Sequence, residues 1–328
     1  MSTVTATPVE LVEALPRMLG YIPHDSLVIA NMPTARSRPV EGSVSIMRLD
    51  LPTSADDVDA VLAALADTYL LPGHLAFAGW QDVMLLIWDE HGHSNQHTAL
   101  AIRRLMRATR ENTPYTLTAV LTTTAESILG FCRTTDSATV PIRAARSTTT
   151  SELEAQLVLR GRQALPDRAT FAAALTADAD AAALPPMDVD EETLITIWAQ
   201  AAQADDSLTC EQSVLLANGL SNPVLRDRAL GAIAVFPSET DDIAPLGEQV
   251  LSPDDLAHLL DNLSRACRAH TNSPGITDLL TVTSFTAWVV GEGTLASIAL
   301  ERALTINPHH RLARLLNVAL SHGLRPPR

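Results

Sequence analysis

Lysine is absent from this chain: all 23 of its basic side chains are arginine. A chain without lysine cannot form a Schiff base with a carbonyl substrate or pyridoxal phosphate. It also lacks the P-loop lysine and the kinase-type lysine that grip nucleotide phosphates. Arginine stays protonated in proteins and cannot replace lysine as a nucleophile. Cysteine is scarce, with Cys132, Cys210 and Cys267 far apart and no CxxC pair. Three reduced thiols in a cytoplasmic protein are the simplest expectation. Aromatics make up only 4% of the chain, so Leu, Ala, Val and Ile must fill the core, which favours helix-on-helix packing. Apolar runs such as Val83 to Trp88 are far shorter than the ~20 residues a membrane helix needs. The start, MSTVTATPVELVEAL, lacks the basic-then-apolar profile of a secretory leader.

The 328 residues carry a formal net charge of -15, unevenly spread. Residues 1–150 hold 11 Arg against 15 acids, and residues 151–328 hold 12 Arg against 23 acids. No Arg occurs from Ala169 to Leu225. Such a surface repels nucleic-acid backbone and anionic lipid. A protein partner or self-association is therefore expected, rather than nucleic acid or a membrane.

Hydrophobic patterning divides the chain near residue 150. Residues 8–20 read as a helix capped by Thr7 and ended by Gly20, and a further helix opens at Thr53 and Ser54 and runs to about Leu70. Strands are predicted at Ser26 to Met32, Ser43 to Leu51, His74 to Trp80, Val83 to Trp88, Tyr115 to Thr123 and Glu126 to Cys132, with a helix at 95–112. After residue 150 the predicted elements are all helices: 151–164, 167–176, 189–204, 210–220, 223–235, 253–270, 277–290, 294–305 and 309–322. The expected fold is an α/β domain with a mixed sheet, residues 1–150, followed by an all-α, repeat-like domain, residues 151–328. Near the end, Gly291, Ala296, Leu300, Ala303 and Pro308 have the spacing of the second half of a tetratricopeptide-type helix pair. The preceding segment lacks that repeat's aromatic and glycine positions, so the pair is degenerate.

Several stretches resemble a family of uncharacterised actinobacterial proteins, known only as a domain of unknown function. They are LVEALPRMLGYIPHDSLVIA at 11–30, MRLDLP at 47–52, LEAQLVLRGRQALPDRATFAAAL at 153–175, VLRDRAL at 224–230 and AWVVGEGTLASIALERALTINPHHRLARLL at 287–316. The resemblance implies an architecture and an intracellular location, and carries no activity with it.

Four local patterns bear on chemistry. His24-Asp25-Ser26 brings three catalytic residue types together, but neighbours on a strand point to opposite faces, so contiguity argues against a triad. If the first two strands pair, His24 and Asp25 fall beside Arg48 and Asp50, a group able to grip a polar ligand or, as the alternative, to serve a hydrolase. The duller outcome is an Arg48–Asp50 or Arg48–Asp25 ion pair at a sheet end. His91, His93 and His97 form the densest histidine cluster, yet their spacing matches no zinc signature. Gly291-Glu292-Gly293-Thr294-Leu295-Ala296 formally matches GxGxxA, but no Asp or Glu follows Glu301 to hold a ribose, and a tight helix–helix turn explains the glycines better. Arg103, Arg107 and Arg110 recur on one helical face, either solvated or docking an acidic partner or the acidic half of a second copy. No cofactor is expected. With neither a GxSxG elbow nor a P-loop, the reading is of a binding or adaptor protein, with a protein partner on the helical half and a small polar ligand in the α/β half.

Overall fold

A computed structural model describes residues 7–31, 46–59, 82–89, 97, 99–100, 103–104, 116–133, 139–147, 149–159, 162–173, 175–176, 188–203, 207–234, 244–248, 250–269, 275–321 and 326. The chain forms two compact units, Met1–Arg168 and Ala169–Arg328.

The first unit is a mixed sheet with helices. Helix α1, Pro8–Leu19, starts where Thr7 accepts from the Glu10 amide while the Glu10 carboxylate takes the Thr7 amide, a reciprocal cap at the first turn. Those bonds hold the Glu10 carboxyl below its ordinary range. Gly20 ends the helix at φ 84, a left-handed conformation that glycine adopts without a Cβ clash. Strands follow at β1 Ser26–Asn31, β2 Ile46–Asp50, β3 Asp82–Trp88, β4 Thr116–Thr123, β5 Ser127–Arg133 and β6 Thr139–Ala145. The strand order is β2-β1-β3-β4-β5-β6, in which β3 and β4 are parallel and the other neighbours antiparallel. The middle strands are continuous apolar runs, as burial on both faces requires: Leu27 to Ala30 and Val83 to Trp88 are all buried.

Two features depart from the sequence expectation. Strand β6 is unanticipated. It contains Pro141 and alternates only between exposed and half-buried positions, so it carries no apolar run to announce it. The first unit also continues past the last strand to Arg168. Helix α2, Glu152–Leu159, packs on α1, and Arg17 reaches Glu154 at 3.4 Å. Beyond it, the Leu165 amide bonds the Gly20 carbonyl and the Ile22 amide bonds the Leu165 carbonyl, tying the unit's end to its start. The expected strand at His74 to Trp80 lies outside the described residues.

Helix α3, Arg168–Ala173, leads into the second unit, which is helical: α4 Glu191–Ala201, α5 Cys210–Leu220, α6 Pro223–Ile233, α7 Pro253–Ala269, α8 Ile276–Val289, α9 Gly293–Ile306 and α10 Arg311–Ser321. The starts of α4, α5 and α6 have a local cause. Asp190 accepts from the Thr193 amide at 2.7 Å, Thr209 and Gln212 form a second reciprocal cap, and Asn222 precedes Pro223 in the first turn of α6. Helix α8 sits at the centre and packs against α5, α6, α7, α9 and α10. Its buried hydroxyls are satisfied locally: Thr281, Thr283 and Thr286 each donate to the carbonyl four residues earlier, and Ser284 donates to Ala296 in α9. Close approach relies on glycine. A Cβ on Gly275 would lie 1.9 Å from the Ala217 carbonyl oxygen. Among the described residues, no helix is long and apolar enough to cross a membrane.

Candidate functional site at the strand ends

Strand directions place the start of β1, the ends of β2, β3, β4 and β6 and the start of β5 at one end of the sheet. Register aligns Asp50, Ser26, Trp88 and Thr123 across four neighbouring strands. Directly paired residues share a face, so this row and Arg48, two residues before Asp50, lie on the same side. In the first unit, Ser26, Asp89 and Thr123 are the polar residues buried among those described, and all three stand at this end.

Ser26 is the pivot of the first cluster. Its hydroxyl donates to the His24 carbonyl at 2.8 Å and accepts from Arg48 Nε at 2.7 Å. Arg48 also pairs with Asp50 at 2.5 Å, and the Asp50 side chain is 83% exposed. Asp25 turns the chain into β1 with a φ of 44, unusual for a non-glycine residue, and its carbonyl accepts from the Leu51 amide. The His24 ring is drawn away from Ser26, with Nε2 2.8 Å from the Pro166 carbonyl oxygen, to which it donates. The structure therefore joins Ser26, Arg48 and Asp50 by side-chain bonds, whereas His24 contributes its backbone carbonyl. A serine between a guanidinium and a carbonyl has no base on its hydroxyl, so this geometry suits holding a ligand rather than nucleophilic attack.

The second cluster follows β3 and β4. The Asp89 amide bonds the Thr123 carbonyl at 2.9 Å, Arg146 donates to the Thr123 hydroxyl at 3.2 Å, and the Arg146 guanidinium lies 4.8 Å from the centroid of the Trp88 ring. The sequence did not single out Trp88, Thr123 or Arg146 as site residues, and it offered Asp89 only as a carboxylate beside the histidine cluster. The available signal was an aspartate directly after a wholly apolar strand, at the carboxyl end where α/β sheets bind ligands.

His91, His93, Arg107 and Arg110 lie outside the described residues. His97 is helical and half-buried, and Arg103 is helical and exposed. Arg104 beside it pairs with Asp59 at 2.6 Å. Among the described residues, no group of three or more His, Cys, Asp or Glu is placed to hold a metal ion.

In the second unit, the GxGxxA segment is a turn between helices: the run before it belongs to α8, Gly291 has φ 87, and Gly293 opens α9. An apolar cleft of about 680 Å³ lies between α7 and this turn, lined by Leu256, Leu260, Val289, Val290 and Leu295, with Asp261 at its margin. Arg226 Nη1 and His310 Nε2 converge on Asp278 Oδ1 at 2.9 and 3.0 Å. Cys267 is buried, and burial pushes its thiol up to about 11.

This architecture, a mixed six-stranded sheet followed by a helical region, belongs to a chain of a single family. The sequence matches the family described as a domain of unknown function, DUF4192, over residues 8–327, and the chain belongs to it. No curated protein and no solved structure matches the chain.

Proposed function

We propose that this is a binding protein of the cell interior. Its helical unit docks a protein partner on the outer face of α10, and the strand ends of its α/β unit hold a small polar ligand. The carrying observation is a stripe on α10. Arg311, Leu315 and Val318 fall at i, i+4 and i+7, with Leu315 59% and Val318 54% exposed. Arg314 is exposed beside them, and Ile306, at the end of α9, is exposed too. Neighbouring exposed aliphatic residues mark interaction surfaces more often than do scattered ones. No acid follows Glu301, so the face is basic within an acidic chain. It suits an amphipathic partner surface that offers apolar and acidic side chains. The helix pair α8–α9, with its tetratricopeptide-like small residues, supports the docking role. The unpaired thiols Cys132, Cys210 and Cys267 support a reducing interior.

The test is a pull-down from native cells with the intact chain and with the double variant Leu315→Asp, Val318→Asp. The expected result is a stoichiometric partner that the variant loses while its circular dichroism stays unchanged. Equal recovery by both proteins would overturn the reading. The hydrolase alternative, centred on His24, Asp25, Ser26, Arg48 and Asp50, requires a base on Ser26. The bonds of Ser26 favour the ligand-holding role instead.

A further inference from the structure

We infer that the end of the sheet around Trp88 and Arg146 is an oxyanion site, whose ligand is a small molecule bearing a carboxylate or phosphate. This names the ligand class for the polar-ligand role proposed above and rests on that role. One donor there, the Trp88 indole, lacks an acceptor, and Arg146 lacks an anionic one. The indole N–H of Trp88 is fully buried and donates to no group among the described residues. Native proteins rarely bury such a donor without an acceptor, because the group loses its water and gains nothing in return. Arg146 is half-buried, and the described groups that its side chain meets, the Thr123 hydroxyl and the Trp88 ring, are neutral. No carboxylate among the described residues pairs with it. The contrast within the molecule is plain, since Arg48 has Asp50, Arg17 has Glu154 and Arg226 has Asp278.

Geometry adds selectivity. The ring beneath the guanidinium and the Thr123 hydroxyl beside it restrain Arg146, leaving further N–H groups of a planar fork to serve two oxygens. Oxyanion oxygens only accept, and Trp88 and Arg146 only donate. Ser26 lies one strand over in the same row, and Arg48, bonded to it from β2 on the same face, supplies a second guanidinium for a longer anionic ligand.

The experiment follows the indole N–H resonances of the full-length protein. The chain has four tryptophans, and Trp88→Phe identifies the resonance of interest. Inorganic phosphate, acetate and glycerol are titrated separately, with sodium chloride matching ionic strength. The expected result is a saturable shift of the Trp88 resonance with phosphate or acetate, absent with chloride, and an affinity lower by about tenfold or more in Arg146→Gln. Preference between the two oxyanions decides phosphate or carboxylate. If Trp88→Phe fails to fold, Arg146→Gln still identifies the resonance, because removing the guanidinium above the ring displaces it. A shift with glycerol but with neither oxyanion overturns the oxyanion assignment and leaves a polar-ligand role standing. No shift with any of the three overturns both. A shift that Arg146→Gln leaves intact removes Arg146 from the site and overturns the assignment.

Discussion

His310 Nε2 stands 3.0 Å from Asp278 Oδ1, joining the residue before the last helix to the first turn of the central one. The opposite ring nitrogen, Nδ1, accepts from the Ala313 amide at 3.2 Å, so the imidazole also caps α10 and must carry its proton on Nε2. Arg226 Nη1 shares the same carboxylate oxygen. All three side chains are at most 15% exposed. Replacing Asp278 with Ala leaves the His310 imidazole without this acceptor and strips the Arg226 guanidinium of one of its two carboxylate partners, with Asp227 at 3.1 Å retained. We expect a loss of about 2–4 kcal/mol in urea unfolding. His310→Ala removes one bond and one cap and is expected to cost about 1–2 kcal/mol.

Cys267 sets a pH dependence. Burial raises its thiol from an ordinary value of 9.0 to about 11. Above pH 9 the unfolded chain releases this proton and the folded chain keeps it, so the unfolded state gains. The contribution of this thiol is therefore complete below pH 9 and is lost as pH rises toward about 11. Cys267→Ala should flatten that part of the stability profile. Maleimide labelling of the native protein near neutral pH should modify exposed Cys210 and spare Cys267 until denaturant is added.

Gly275 marks the tightest helix contact. An added methyl would overlap the Ala217 carbonyl, which is fixed backbone rather than a pliable side chain. Gly275→Ala is expected to destabilise the second unit by about 2–3 kcal/mol, read from chemical denaturation. An unchanged midpoint would mean that α5 and α8 can part without penalty.

Ser26 and Asp50 should behave differently although both bond Arg48. The Ser26 hydroxyl is buried and joins two groups, so Ser26→Ala is expected to cost about 1–2 kcal/mol. Asp50 faces water, and Asp50→Asn should change stability by less than about 0.5 kcal/mol. Thermal unfolding of the two variants separates them.

Most of the helices, and the described strands apart from β6, are legible in the sequence because burial leaves a periodic trace. Helix α5 runs over the expected 210–220, and α4 falls within the expected 189–204. Strand β6 left no trace because a proline-bearing, half-exposed strand alternates too weakly. The Ser26, Arg48 and Asp50 group could be suspected, since one hairpin-like pairing suffices to assemble it. The group of Trp88, Thr123 and Arg146 could not. It needs the parallel register of β3 on β4 and the path of β5 and β6, and no local motif encodes either. The meeting of Arg226, Asp278 and His310 is hidden for the same reason: two helices and the residue before a third carry them, and packing alone brings them together.

Helix α8 has a consequence for how the second unit opens. In a linear array of repeats each element touches only its neighbours, so melting can begin at one end and travel. Here α5, α6, α7, α9 and α10 all rest on one shared spine, and fraying any of them strips cover from the same helix. The unit should therefore lose its structure in one cooperative step, with the amides of α8 the last to exchange with deuterium.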